Sequence, residues 1–280
     1  MSMNAYAKIN LFLDVIGKRG DGYHDLVSVM QSISLCDELE FFVFGDGVQL
    51  NAGTVPQGFP LDDANLIVRA AKFLINEYKI PHGVKINLRK RIPMGAGLGG
   101  GSSDCAAVLH GMNELFSLGI PIHRLMEIGA HFGADVPFCL LGGTALAEGI
   151  GEKLTLLVPH SPCWVVLACP DIHVSTRVAF EQLHVNGANA SYSAFESAYG
   201  TGDISKIANN FFNIFTPITA KMHPEISQAI AALKKHGAIN AEMTGTGSAV
   251  FGYFKNENDA ILACDKIQMQ TFLTKTIGSY

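Results

Sequence analysis

The sequence predicts a mixed α+β fold divided into two domains, and three observations carry that reading. Stretches with period-two alternation and stretches with a helical apolar stripe both recur along the chain. A cluster of turn residues, Pro159-His160-Ser161-Pro162, interrupts two hydrophobic strands and marks a boundary between residues 1–158 and 159–280. With 280 residues, 48% of them hydrophobic, the chain suits one large or two medium domains with a substantial core.

Residues 5–16 alternate: Ile9, Leu11, Leu13 and Val15 lie on one strand face, Lys8, Asn10, Phe12 and Asp14 on the other. Lys8 and Asn10 therefore project side by side, and taken alone they read as a solvated face. Gly17-Lys18-Arg19-Gly20-Asp21-Gly22 is a turn cluster. Tyr23-His24 follows it, a pair able to stack on and hydrogen-bond a flat ring, or simply to pack. Residues 27–35, 39–44 and 48–51 read as strands, and 54–60 as a loop. Asp62 and Asp63 are N-cap candidates for a helix whose stripe is Leu66, Ala70, Phe73 and Leu74.

A strand over 84–88 leads to a glycine loop, then to helices over 102–116 and 122–132. Asp135 precedes the apolar run 136–141, where it could be an N-cap. A hairpin is expected over 144–158, turning at Gly149-Ile150-Gly151, and a strand over 164–169. Helices follow at 175–183, 191–199, 204–215 and 224–236. Thr244-Gly245-Thr246-Gly247-Ser248 lies between strands. It reads as a hairpin turn, but one denser in glycine and hydroxyl than a turn requires. A helix over 258–268 and a short strand complete the chain.

The glycine loop is Pro93-Met94-Gly95-Ala96-Gly97-Leu98-Gly99-Gly100-Gly101-Ser102-Ser103-Asp104. A structural turn needs one or two glycines; this run has more. It lets backbone N–H groups converge on an anion, and the helix opening at Ser102 adds its dipole and unpaired N–H groups. The loop reads as a phosphate cradle. It is not a dinucleotide fingerprint, because no second strand with an acid follows the helix. It is not a Walker loop, because Gly101 stands where a lysine is required.

A net charge of −5 argues against general binding of nucleic acid or membrane surfaces. The six cysteines contain no Cys-x-x-Cys, so neither a zinc site nor a disulfide framework is expected. The N-terminus lacks a signal-peptide layout and no apolar stretch has transmembrane length. A cytoplasmic protein with no obligate protein partner is expected.

Lys8-Ile9-Asn10-Leu11, the loop from Pro93 to Asp104, and Thr244-Gly245-Thr246-Gly247-Ser248 resemble the three motifs of the GHMP kinase family. Gly17-Lys18-Arg19-Gly20-Asp21-Gly22-Tyr23-His24, Asn65-Leu66-Ile67 and Gly133-Ala134-Asp135-Val136-Pro137-Phe138 narrow the resemblance to the branch acting on a cytidine-diphosphate sugar alcohol. The resemblance implies an N-terminal ribosomal-protein-like α/β domain and a C-terminal ferredoxin-like domain, with the active site in the cleft between them. It implies ATP as co-substrate, a small-molecule acceptor phosphorylated on its 2-hydroxyl, and a place in the non-mevalonate route to isoprenoid precursors.

By matching motif, Asp135 is implied as catalytic base with Lys8 as its partner, and Asn10 as a substrate contact. Tyr23 and Phe180 are implied to sandwich the cytosine, with His24 on its edge. Thr176, Gly245, Thr246 and Gly247 complete the substrate set. Asn65 and Lys90 are placed near the adenine, and residues Pro93 to Ser103 around the triphosphate. ATP chemistry implies Mg2+, with Ser103 as candidate ligand and no counterpart of the family's usual glutamate. The alternatives are a GHMP kinase of homoserine or mevalonate type, or a ligand sensor of the same fold without turnover.

Overall fold

The computed structural model describes residues 1–20, 22–56, 58–183 and 192–279. Asp21 of the turn cluster and Ser191, the expected start of one helix, lie outside the described residues. The chain forms two compact units, neither continuous in sequence. Unit 1 comprises Met1–Ala7, Cys36–Ile92 and Gly99–Leu141, and unit 2 comprises Lys8–Leu35, Pro93–Leu98 and Gly142–Tyr280.

Two long strands, β1 (Ser2–Lys18) and β2 (His24–Phe44), contribute to both units. The strands expected at 27–35 and 39–44 are thus one strand. The polar Cys36-Asp37-Glu38 stretch looked like a break, but Asp37 is fully buried and bonded to backbone N–H groups of Arg91 and Ile92. A buried carboxylate with partners does not interrupt a strand.

In unit 1, β3 (Val48–Ala52) runs parallel to β4 (Gly83–Arg89), and β4 runs antiparallel to the second half of β2, with Phe41 opposite Ile86. Four helices accompany this sheet: α1 (Leu66–Glu77), α2 (Gly100–Leu115), α3 (Ile122–Ala130) and α4 (Val136–Leu141). Helix α1 is amphipathic, burying Ile67, Val68, Ala70, Ala71 and Leu74. Helix α2 meets β2 closely: a Cβ on Gly111 would lie 2.7 Å from the Phe41 ring. The N-cap of α1 is Asn65, not Asp62 or Asp63. Its Oδ1 accepts from the Ile67 N–H at 2.9 Å and its Nδ2 donates to the Pro60 carbonyl at 2.8 Å.

In unit 2, the first half of β2 pairs antiparallel with β5 (Thr144–Gly149), which turns into β6 (Lys153–Leu156). After β7 (Trp164–Cys169) come α5 (Thr176–Glu181), α6 (Tyr192–Gly200) and α7 (Ile204–Asn209). The helix expected over 204–215 ends early. Phe212–Asn213 form β8, parallel to β1 at Phe12 and Leu13, and α8 (Thr216–Met222) follows. Tertiary pairing with β1 overrides local helical spacing there.

The remaining elements are α9 (Glu225–Lys235), β9 (Asn240–Met243), β10 (Val250–Phe254), α10 (Glu257–Lys266) and β11 (Gln270–Lys275). The second sheet has the order β11-β7-β10-β9 with antiparallel neighbours. Taking β7, α9, β9, β10, α10 and β11 in turn gives the βαββαβ ferredoxin-like arrangement. Its core holds Val166, Leu233, Met243, Val250 and Phe254. Burying a side chain of that size contributes about 1.5–3 kcal/mol.

Candidate active site

The glycine loop leaves unit 1 at Ile92 and rejoins it at Gly99. Gly95, Gly97 and Gly99 have φ of +65°, +77° and +71°, whereas Ala96 and Leu98 between them have no positive φ. An alternation of this kind in φ is what an anion nest calls for. Ala96 and Leu98 are buried, at 3% and 1% exposure, and so anchor the backbone that displays the glycines. Helix α2 begins directly from the nest, with Gly99 as N-cap and no side chain bonded to its first N–H groups. The nest and the positive end of the helix dipole therefore adjoin along the chain.

Within unit 2 the loop is pinned from two sides. The Lys8 N–H on β1 donates to the Leu98 carbonyl at 3.0 Å, and the Ala249 N–H donates to the Ala96 carbonyl at 3.0 Å. The Thr244 hydroxyl reaches the Gly97 carbonyl at 3.3 Å. The two glycine-bearing loops thus meet backbone to backbone, and glycine is required: a Cβ on Gly97 would lie 2.3 Å from the Thr244 carbonyl oxygen, and one on Gly245 would lie 3.2 Å from the Gly97 Cα.

Asn10 joins this assembly to Lys8. Its Oδ1 accepts from Lys8 Nζ at 2.9 Å, from the Thr244 hydroxyl at 3.1 Å and from the Gly245 N–H at 3.0 Å. Its Nδ2 donates to Ser28 Oγ at 2.9 Å. The side chain implied as a substrate contact is therefore occupied with protein partners and orients Lys8, which is only 4% exposed. The solvated-face reading of Lys8 and Asn10 does not describe them. Sequence reasoning missed three supports. Ser28 holds Asn10. Asn213 donates to the Met243 and Gly245 carbonyls at 2.8 and 2.7 Å, and the Thr219 hydroxyl donates to the Thr246 carbonyl at 3.1 Å. Only the polarity of Ser28 and Asn213 amid apolar neighbours signalled them.

The proposed base-recognition residues are partly gathered within unit 2. The His24 and Phe180 rings lie 5.1 Å apart, and Phe180 is backed by Phe215 at 4.7 Å. Tyr23 is exposed. The Thr176 and Thr246 hydroxyls share a hydrogen bond of 3.1 Å.

In unit 1, Asp135 stands immediately before α4, and its carbonyl accepts from the Cys139 N–H at 3.0 Å. Asn65 spends its side chain on capping α1, as described. Lys90 directs its ammonium inward to Asp37 and Asp104 at 2.5 and 2.7 Å. Burial lowers its pKa, but the two carboxylates outweigh that and raise it. Ser103 is also turned inward. Its hydroxyl is buried within 2.6 Å of the Tyr6 carbonyl and 3.1 Å of the Gly99 carbonyl, with Cys139 Sγ at 3.3 Å. A hydroxyl so placed does not fit the metal-ligand role implied for it. Among the described residues no three His, Cys, Asp or Glu side chains stand together to hold a metal ion. Among them, too, no helix is long and apolar enough to cross a membrane.

A glycine nest leading into a helix, joined to a second glycine loop and to a lysine strand, is the set of parts shared by one class of small-molecule kinase. Residues 65–143 match the GHMP kinases N terminal domain and residues 194–270 match the GHMP kinases C terminal domain, and the chain belongs to the GHMP kinase family. It is 42% identical to the 4-diphosphocytidyl-2-C-methyl-D-erythritol kinase of Acetivibrio thermocellus, over 99% of both chains. Its identity to the protein of the same name from Exiguobacterium sibiricum is 44%, over 92% of this chain and 90% of that one. At such identity the chain falls among the 4-diphosphocytidyl-2-C-methyl-D-erythritol kinases. A crystal structure of a 4-(cytidine 5'-diphospho)-2C-methyl-D-erythritol kinase superposes with a TM-score of 0.86 at 32% identity, covering 99% of this chain and all of that one. Mevalonate kinase of L. major, at 16% identity and a TM-score of 0.76, shares the fold.

Proposed function

We propose that the chain transfers the γ-phosphate of ATP to the 2-hydroxyl of 4-diphosphocytidyl-2-C-methyl-D-erythritol, in the methylerythritol phosphate route to isoprenoid precursors. The observation that carries this reading is the nest at Gly95, Gly97 and Gly99 running directly into α2, in a chain of this family. Phosphoryl transfer needs in-line positioning and stabilisation of charge on the moving group. The nest and helix terminus supply fixed N–H donors for the triphosphate. Asp135 accepts the proton of the acceptor hydroxyl as its oxygen forms a bond to the γ-phosphorus. The bond from that phosphorus to the β,γ-bridging oxygen breaks, and ADP leaves. Lys8, oriented by Asn10 at 2.9 Å, supports the developing negative charge. Mg2+ is implied by ATP chemistry, and Ser103, whose hydroxyl is turned to the Tyr6 and Gly99 carbonyls, is not assigned to it.

Stacking on Tyr23 and Phe180, with a hydrogen bond from His24, gives the preference for a cytidine-bearing acceptor. The expected result is ADP release with this acceptor, and none with methylerythritol phosphate or mevalonate. Tyr23→Ala should raise the acceptor KM about tenfold, the equivalent of roughly 1.4 kcal/mol of lost stacking, and leave the ATP KM unchanged. An unchanged acceptor KM removes the stacking role. Turnover of mevalonate instead keeps the family and replaces the substrate, and no ADP release with any acceptor favours the sensor.

The division at residues 158 and 159 is proposed as the boundary between the two family domains. Val158 is 84% exposed there, so limited proteolysis should cut first within 157–162; a first cut elsewhere removes the boundary. The six cysteines are free thiols, in keeping with the cytoplasm as the proposed location.

A further inference from the structure

A deeply buried charged cluster in unit 1 has no part in the chemistry just proposed. Asp37, Lys90 and Asp104 have side-chain exposures of 0%, 6% and 4%. Asp37 Oδ1 accepts from the Arg91 and Ile92 N–H groups, the latter at 2.8 Å, while its Oδ2 accepts from Lys90 Nζ. Lys90 Nζ then donates to Asp104 Oδ2 at 2.7 Å, in the first turns of α2. One strand, β2, is thereby tied to the two residues before the glycine loop and to the helix after it. Gly100 keeps the tie short, since a Cβ there would lie 3.0 Å from both Lys90 Nζ and the Ile92 side chain.

We propose that Asp37, Lys90 and Asp104 form a positioning unit for the nucleotide loop, fixing the separation of the two chain ends from which the loop is suspended. The proposal rests on reading that loop as the triphosphate cradle. Two carboxylates around one ammonium are expensive to bury, and breaking a buried pair is strongly destabilising, so a cluster this dry points to a positional use. Burial pushes the Asp104 carboxyl up; Lys90 opposes that shift and Asp37 adds to it. Oδ1 of Asp104 has no hydrogen-bond partner, so Oδ2 makes the contact that ties the side chain to Lys90. Asparagine can reproduce that contact without the charge, whereas alanine cannot.

The test compares Asp104→Ala, Asp104→Asn and Asp37→Asn with the parent chain. Steady-state kinetics and amide hydrogen exchange over residues 89–106, the latter without nucleotide, are the two readouts. Asp104→Ala should raise the ATP KM five- to tenfold, with kcat at saturating ATP within twofold and the acceptor KM unchanged. Asp104→Asn should restore the parent value. Asp37→Asn, which turns an amide N–H2 or a lone oxygen toward three donors, should resemble the alanine variant and serves if that variant does not fold. Exchange over 89–106 should be faster in the impaired variants. An ATP KM unchanged in folded Asp104→Ala or Asp37→Asn overturns the proposal. So does an equal rise in both substrates' KM, or an Asp104→Asn protein as impaired as Asp104→Ala. If the parent chain itself does not turn over ATP, the nucleotide reading fails, and altered exchange alone then shows that the tie holds the loop.

Discussion

Asp135→Asn is expected to lower kcat by about 10²–10⁴-fold, the range for loss of a general base, and to leave the ATP KM within twofold. The change replaces one carboxylate oxygen by an amide nitrogen, so the side chain keeps its size and loses its basicity. The backbone at this point has hydrogen bonds of its own: the Asp135 carbonyl takes the Cys139 N–H at 3.0 Å, and the Val136 N–H donates to the Gly133 carbonyl at 3.1 Å. The start of α4 should therefore persist in the variant. ATP affinity is assigned to the nest and to α2, where position 135 takes no part. Single-turnover ADP release and direct titration with ATP separate the two effects. Full activity in the asparagine variant would remove the base assignment, and a parallel loss of ATP binding would show that the residue shapes the nucleotide site instead.

The second large effect is expected at Gly97. Its φ of +77° costs a residue with a Cβ roughly 1–2 kcal/mol by itself. The added Cβ would stand 2.3 Å from the Thr244 carbonyl oxygen, and that neighbour is backbone, with no rotamer to move aside. The two loops must separate, which strains the Thr244 to Gly97 hydrogen bond of 3.3 Å. Gly97→Ala should raise the ATP KM at least about tenfold, equivalent to roughly 1.4 kcal/mol, and lower Tm by a few degrees. Gly200→Ala is the control, because nothing lies within 4 Å of a Cβ there. A Gly97→Ala protein with parent-like ATP KM would show that the nest does not set nucleotide affinity.

The readability of this chain differs by level. Helices with a clean apolar stripe, such as α1, could be read locally, because burying one face is a property of spacing along the chain; β1 was legible as a strand, yet both of its faces are buried. The glycine loop was legible for the same reason: its glycine density states that the backbone must visit positive φ, and Gly95, Gly97 and Gly99 do. Polar residues were where local reading failed. Asp37 fell in the gap between two expected strands and is buried within one continuous strand. Asp62 and Asp63 read as the cap of α1, and Asn65 is the cap. Asn10 read as part of a solvated face and is buried, bonded to Lys8, Ser28 and the Thr244-Gly245 turn. Residues 212–213 fitted a helical pattern and pair with β1 instead.

By itself, the sequence determined most of the strand and helix segments, the position of the glycine loop, and the motifs that place the chain among the GHMP kinases. The tertiary structure decided which polar side chains are spent on the fold and which remain for chemistry. The physical reason is that a polar atom's role depends on its partner. The partners of Asp37 are 53 to 55 residues away along the chain, and those of Asn10 as many as 235, distances that no local pattern encodes.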